Sequence, residues 1–150
     1  MKLSICIATY NRAPFIGETL NSILSQVQTG VEIIVVDGAS PDDTSKVMMK
    51  YTAKHPEIRY FREDENSGVD ADFDKAVGYA NGEFCWLMTD DDLLKPGAIQ
   101  RVLSSLNEVD DLVIVNSEVR NVDLSEVFES HRLKFQADRV YRSTVNKEKL

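Results

Sequence analysis

The sequence predicts an α/β fold, a mostly parallel sheet flanked by helices. Three observations predict it. Short β-rich apolar runs alternate with segments of helical periodicity, the pattern of parallel strands joined by crossover helices. The run Val31–Val36 is nearly continuous in apolar residues, as suits a strand covered on both faces. The composition, 43% hydrophobic and 28% charged over 150 residues, is that of an ordinary globular chain of single-domain length.

The elements follow in order. Leu3–Ala8 reads as the first strand. Ile16, Leu20, Ile23, Leu24 and Val27 fall on one face of a helix. Pro14 sits in its first turn, where a missing N–H costs nothing. After the second strand, Ser40-Pro41-Asp42-Asp43 combines a Ser cap, a proline at the first position and acids at the positive end of the dipole. That predicts a helix running to about Lys54, followed by a third strand over Ile58–Phe61. Phe73, Ala76, Val77 and Ala80 predict the next helix, stopped by Asn81-Gly82. Phe84–Met88 is a fourth strand, and Pro96 opens a helix with Ile99, Val102, Leu103 and Leu106 on one face. Leu112–Val115 is predicted as a fifth strand. Beyond Asn116 the pattern weakens. Asp138–Arg142 has the look of a short strand, and Ser143–Leu150 that of a cap and first helical turn. An element that starts where the chain stops leads us to expect a truncated protein.

Charge and cysteine content exclude several classes. Lys+Arg 17 against Asp+Glu 25 gives a net charge of -8, and so acidic a surface repels nucleic-acid backbones. The two cysteines, Cys6 and Cys85, both lie in apolar runs without CxxC spacing. They read as buried free thiols of a reducing compartment. The first apolar run is too short for a signal-peptide core, and no stretch approaches a membrane span, so a cytoplasmic location is expected.

In open α/β sheets ligands sit outside the carboxyl ends of the strands. There this sequence places Thr9-Tyr10-Asn11-Arg12, then Asp37, then Asp90-Asp91-Asp92, with Asp70, Asp72 and Asp74 following Gly68. The triple Asp is the sharpest feature. Adjacent carboxylates raise one another's pKa unless a cation neutralises them, and directly after a buried strand they are not expected all to spread into water. A hard divalent ion, Mg²⁺ or Mn²⁺, resolves this by taking one or two carboxylates and completing its shell with water and substrate phosphates. The plainer alternative is an acidic helix start before Pro96. Asp37 reads equally as a ribose or base contact and as a turn-forming residue before Gly38. Tyr10 offers a face for stacking on a base or for packing on its loop. Arg12 suits a phosphate or one of the neighbouring acids. Asp72 and Asp74 read as the solvated side of a helix start, Trp86 and Tyr79 as core, and His55 and His131 as surface residues.

A dinucleotide fold needs a Gly-rich turn after the first strand, and here no glycine occurs before Gly17. A phosphoacceptor receiver carries its acids after the first and third strands, whereas these follow the second and fourth.

Ile7-Ala8-Thr9-Tyr10-Asn11-Arg12, Val35-Val36-Asp37-Gly38-Ala39-Ser40, Asn66-Ser67-Gly68, Ala80-Asn81-Gly82-Glu83-Phe84 and Asp91-Asp92-Leu93-Leu94-Lys95-Pro96-Gly97-Ala98 together resemble the family 2 glycosyltransferases of the A-type, Rossmann-like fold, over about residues 3–107. The run Gly68–Ala76 with Glu83–Leu87 looks closest to their abequosyltransferase-like branch. The resemblance implies a single transferase domain whose donor-nucleotide core spans about 3–107, with 108–150 beginning an acceptor side. It implies donor contacts from Ala8, Thr9, Tyr10, Arg12, Asp37, Asp70 and Asp90, and Mn²⁺ or Mg²⁺ held by Asp91 and Asp92. The family's common Asp-x-Asp-Asp has Thr89 in its first place here, so the acidic register is ambiguous by one residue. Phe73 and Asp74 stand in the places of a common Arg-Asn, so no phosphate-binding arginine carries over there. The implied partners are a nucleotide diphosphate sugar and a glycan or lipid-linked saccharide acceptor. Peripheral contact with the inner face of the membrane, through a part outside this chain, is implied as well. The implied reaction is inverting transfer in bacterial surface-polysaccharide synthesis. No motif identifies the base, although Glu118 and Asp123 are the nearest acids after the predicted fifth strand.

Overall fold

The computed structural model describes residues 2–107, 112–134 and 137–139, which fall into two compact units, Met1–Val109 and Asp110–Leu150. The first unit is the predicted α/β sandwich. Its strands β1 (Leu3–Thr9), β2 (Val31–Asp37), β3 (Ile58–Arg62) and β4 (Phe84–Met88) form one parallel sheet in the order β3-β2-β1-β4. Between them run α1 (Ile16–Leu24), α2 (Thr44–Thr52) and α3 (Val69–Tyr79), and α4 (Ala98–Ser105) follows β4.

The alternation of side chains along a strand sorts the core into two layers. Leu3, Ile5 and Ile7 of β1 with Ile33 and Val35 of β2 pack against Ile16, Leu20 and Ile23 of α1, Met48 of α2, and Ile99 and Val102 of α4. The other face is thinner: Cys6, Ile34 and Val36 meet Ala76 of α3. That face of the edge strand β4 lies open, so Cys85 is exposed and Leu87 is 52% exposed. Only Cys6 of the two cysteines is buried, which corrects the sequence expectation for Cys85. A helix on each face covers the central strands, not every residue of an edge.

Glu32 interrupts the apolar run of β2 and is nevertheless 3% exposed. Its carboxylate accepts hydrogen bonds from Ser4 Oγ (2.7 Å), Asn81 N (2.6 Å), Asn81 Nδ2 (3.2 Å) and Arg59 Nη1 (3.2 Å). Desolvation pushes its pKa up, but these bonds together outweigh burial and hold it below the 4.5 of an ordinary glutamate. The network seats the turn into β4 against β1. Gly82 is required at that contact, because a Cβ there would stand 2.6 Å from Ser4 N.

α2 begins at Thr44 rather than beside Ser40, and ends at Thr52. Ser40 Oγ does not cap along the chain, because the loop after β1 engages it, whereas Asp42 serves both, accepting from Thr44 N at the start of α2 (3.0 Å) and from the loop after β1, as described below. Tyr79 lies at the rim, 36% exposed and stacked on Phe61 at 3.9 Å between centroids, while Trp86 packs against the main core.

In the second unit β5 (Val119–Arg120) pairs antiparallel with β6 (Val127–Glu129). The strand expected over Leu112–Val115 does not form: residues 112–118 are irregular, and Leu112 and Ile114 are 76% and 67% exposed. A strand is defined by ladder partners, which an apolar composition alone does not supply. Asp138 and Arg139 are irregular, and residues 140–142 and the expected helix start at 143–150 lie outside the described residues. No helix among the described residues is long and apolar enough to cross a membrane.

Candidate functional site

The parallel register aligns the strand ends. Thr9 pairs with Asp37, and Ile7 pairs with Met88, so β1, β2 and β4 finish along one edge. Three loops meet there.

The loop after β1 is fastened to the loop after β2 by three consecutive backbone amides. Asn11 N donates to Ser40 Oγ (2.9 Å), Arg12 N to Thr44 Oγ1 (3.0 Å) and Ala13 N to Asp42 Oδ2 (3.0 Å). This leaves Tyr10 45% exposed, free to offer its ring face. Asn11 adopts φ 58, which asparagine tolerates. Ala39 adopts φ 60, which a Cβ opposes by about 1–2 kcal/mol. Ala39→Gly should therefore raise the melting temperature by a few degrees, the relief exceeding the entropy of about 0.5–1 kcal/mol that glycine costs. Differential scanning calorimetry reads this, and a lower melting temperature would count against strain at Ala39.

Asp37 is fully buried. Its Oδ1 accepts from Ser40 N (2.8 Å) and its Oδ2 from Tyr60 Oη (2.6 Å). It therefore shapes the turn that carries Ser40, while offering no open surface of its own. Burial and the Asp37 charge push the Tyr60 phenol well above its ordinary value, so the phenol keeps its proton and remains the donor.

The loop after β4 begins with Asp90, which is 9% exposed, whereas Asp91 and Asp92 stand in solvent. The three carboxylates do not all reach water, as expected: Asp90 stays buried, and the chain turns outward after it. Thr9 Oγ1, 2% exposed at residue level, lies beside the Asp90 carboxyl without a well-formed hydrogen bond, and Arg12 Nε likewise makes none, its contact with Asp90 Oδ1 being an ion pair at 3.5 Å. Burial pushes the Asp90 carboxyl up, with Asp91 adding to the effect, against the pull of Thr9 and Arg12. The loop itself hangs on a polar stripe of α1 that continues into the turn after it. Thr19 Oγ1 donates to Asp90 O (2.9 Å), Ser22 Oγ accepts from Leu94 N (3.0 Å), and Gln26 binds Lys95 O and Ile99 N (3.1 and 3.2 Å). The spacing i, i+3, i+7 that marks an apolar stripe also marks this one, and sequence reasoning overlooked it.

At the start of α3, Asp70 and Asp74 are exposed but Asp72 is 2% exposed, which overturns its reading as a solvated residue. Asp72 lies against Gly38, where a Cβ would stand 2.4 Å from Oδ2, and pairs with Lys75 at 3.8 Å. Lys75 also binds Glu63 at 2.8 Å, tying the loops after β2 and β3 to α3. Ala8 is buried at the end of β1 and contributes backbone only.

Among the described residues no three His, Cys, Asp or Glu side chains converge as a ready cation cage. The donor set nevertheless fits a hard ion. A buried carboxylate, a hydroxyl beside it without a well-formed hydrogen bond and two exposed carboxylates next in sequence leave oxygen ligands available at one strand end.

The profile of glycosyl transferase family 2 matches residues 4–149. The abequosyltransferase RfbV of Salmonella typhimurium is 32% identical over 141 residues, covering 92% of this chain and 42% of that protein. The chain thus spans less than half the length of that relative. S. aureus TarS 1–349, solved in complex with UDP-GlcNAc, superposes with a TM-score of 0.65 at 31% identity, over 69% of this chain and 30% of that one. The mannosyltransferase PcManGT of Pyrobaculum calidifontis, solved with GDP-Man and Mn²⁺, gives a TM-score of 0.59 at 30% identity, over 65% and 29%. The fold is accordingly that of the A-type glycosyltransferases.

Proposed function

Since the chain belongs to glycosyl transferase family 2, we propose that residues 3–107 bind a nucleotide diphosphate sugar at the carboxyl ends of β1, β2 and β4. The observation that carries this reading is the buried Asp90 with the unsatisfied Thr9 Oγ1 and Arg12 Nε beside it. Polar groups withheld from water without well-formed hydrogen bonds are costly, and a bound ligand would supply them. Tyr10 stacks on the base, Thr9 and Asp90 meet the ribose side, and Arg12 faces the phosphates. Asp37 acts through the turn it fixes, and Asp70 lends the donor site a further acid.

Asp91 and Asp92, exposed and next in sequence, would hold Mn²⁺ or Mg²⁺. When bound, such an ion stabilises charge developing on the departing diphosphate. Arg12 supplies part of the same compensation from the protein, and α1 keeps the acidic loop in place. The net charge of -8 would otherwise oppose an anionic donor.

For the whole protein, of which 108–150 would begin the acceptor side, we propose inverting transfer to a glycan or lipid-linked saccharide in surface-polysaccharide synthesis. A carboxylate base takes the acceptor proton in such a displacement. Asp123 is bonded to Ser125 in its own turn and Glu118 pairs with Arg120, so we assign the base to neither. Membrane-face location is part of the same proposal. Binding of the donor by this chain without transfer is the narrower reading.

Titration calorimetry with UDP, GDP, CDP and dTDP sugars tests the donor site. We expect one of them to bind with Mn²⁺ present, and EDTA to weaken it at least about tenfold, or ~1.4 kcal/mol. Equal affinity with chelator removes the metal role, and no binding by any of the four removes the reading.

A further inference from the structure

We infer that Tyr60, on β3 and outside every motif noted in the sequence, is a positioning residue for the donor-binding loops. The inference rests on the proposed donor site.

The chain of contacts is continuous. Tyr60 packs its ring against the main core and donates its phenol proton to Asp37 Oδ2 at 2.6 Å. Asp37 is 0% exposed and uses its other oxygen to accept from Ser40 N at 2.8 Å. Ser40 Oγ accepts from Asn11 N at 2.9 Å, and Ser40 O accepts from Arg62 Nη2 at 2.9 Å. The edge strand β3, through a ring packed on the main core, is thereby connected to the segment that presents Tyr10 and Arg12. The turn in the middle of this chain contains Ala39 at φ 60, a conformation that persists only when its surroundings over-determine it.

No lysine or arginine is paired with Asp37 among the described residues. Among the described residues its carboxylate accepts from the phenol and from one amide. Removing the phenol oxygen leaves Oδ2 buried without a donor, and a carboxylate in that state either draws in water or rotates. Rotation loosens Ser40 N, and through Ser40 Oγ the amide of Asn11. Tyr60 touches no ligand in this account; it acts through Asp37.

Tyr60→Phe is the direct test, with Tyr51→Phe as its control. Tyr51 also loses a phenol hydrogen bond, to Gly17 O at 2.9 Å, but is not bonded to the loops described. The two variants and the parent are compared at a temperature where all are folded by circular dichroism. The probe is the nucleoside diphosphate that binds the parent most tightly with Mn²⁺. We expect about tenfold weaker binding in Tyr60→Phe, matching loss of a hydrogen bond to a charged group, and none of this in Tyr51→Phe. Amide hydrogen exchange supplies a readout independent of any ligand. Exchange should quicken at Ser40 and Asn11 while the β1 and β2 amides of Ile5–Ile7 and Ile33–Val35 keep their protection. Unchanged affinity, or exchange quickened uniformly across the sheet, would mean that Tyr60 serves stability alone. If the parent binds no nucleotide, the donor-site reading has failed. The exchange pattern still decides whether Tyr60 holds the loops.

Discussion

Asp90→Asn should weaken nucleoside diphosphate binding by about 10–100-fold while leaving the melting temperature unchanged or higher. The two effects have one cause. Asp90 is a carboxylate at 9% exposure whose one cation partner among the described residues, Arg12, lies 3.5 Å away and is not well aligned to it. Burial pushes its pKa up, so in the folded protein the charged form is disfavoured relative to water. Keeping it charged near neutral pH costs stability, and an amide of the same shape removes that cost. Binding loses a charge-assisted interaction of about 1.5–3 kcal/mol, from which the fold-change follows. Thr19 holds Asp90 by its backbone oxygen, so the loop path survives the substitution. Calorimetric titration and a thermal melt on the same sample check both halves. Normal binding with a lowered melting temperature would make Asp90 a structural residue.

The features that sequence patterns revealed were those governed by neighbours along the chain. β1 to β4 and all four helices of the first unit follow from local periodicity and turn chemistry, and their parallel order follows from alternation. What stayed hidden depends on partners far away in sequence. Ser40 has the composition of a helix cap, but its hydroxyl serves Asn11, 29 residues earlier, and Asp42 divides its carboxylate between Thr44 N of α2 and Ala13 N, 29 residues earlier. Leu112–Val115 has the composition of a strand without a ladder to join. Cys85 sits in an apolar run, yet α3 covers only the central strands. Asp72 could have been found: it lies one helical turn before Ala76, on the stripe that faces the sheet. At the candidate site, the loops after β1, β2 and β4 were legible because strand ends in such folds are where ligands sit. The depth of each acid was not, and depth separates Asp37 and Asp90 from Asp91 and Asp92.

Glu32 is a charge inside an otherwise apolar strand that the sequence reading passed over, and its replacement is expected to have the largest effect on folding. Glu32→Ala should destabilise the first unit by about 3 kcal/mol. The carboxylate is 3% exposed and satisfies Ser4 Oγ, Asn81 N, Asn81 Nδ2 and Arg59 Nη1 at once. Removing one partner of a buried charged network typically costs about 3–5 kcal/mol. The lower end applies, because the Arg59 side chain is 38% exposed and can rehydrate. For a unit of this size such a loss lowers the melting temperature by more than about 10 °C. Acid should erase the difference. The pKa of Glu32 is lower in the folded protein than in the unfolded chain, so its stabilisation is complete above 4.5 and disappears as pH falls through the folded value. The gap between parent and variant should therefore be full at pH 7 and shrink steadily below pH 4.5. Glu32→Gln should fall between the two, since its amide nitrogen meets Arg59 and Asn81 Nδ2 as a donor facing donors. Melts of all three proteins from neutral to acid pH decide it. A gap that stays constant over that range would mean that Glu32 stabilises by filling space, and that its charge is incidental to seating the turn at Asn81-Gly82 against β1.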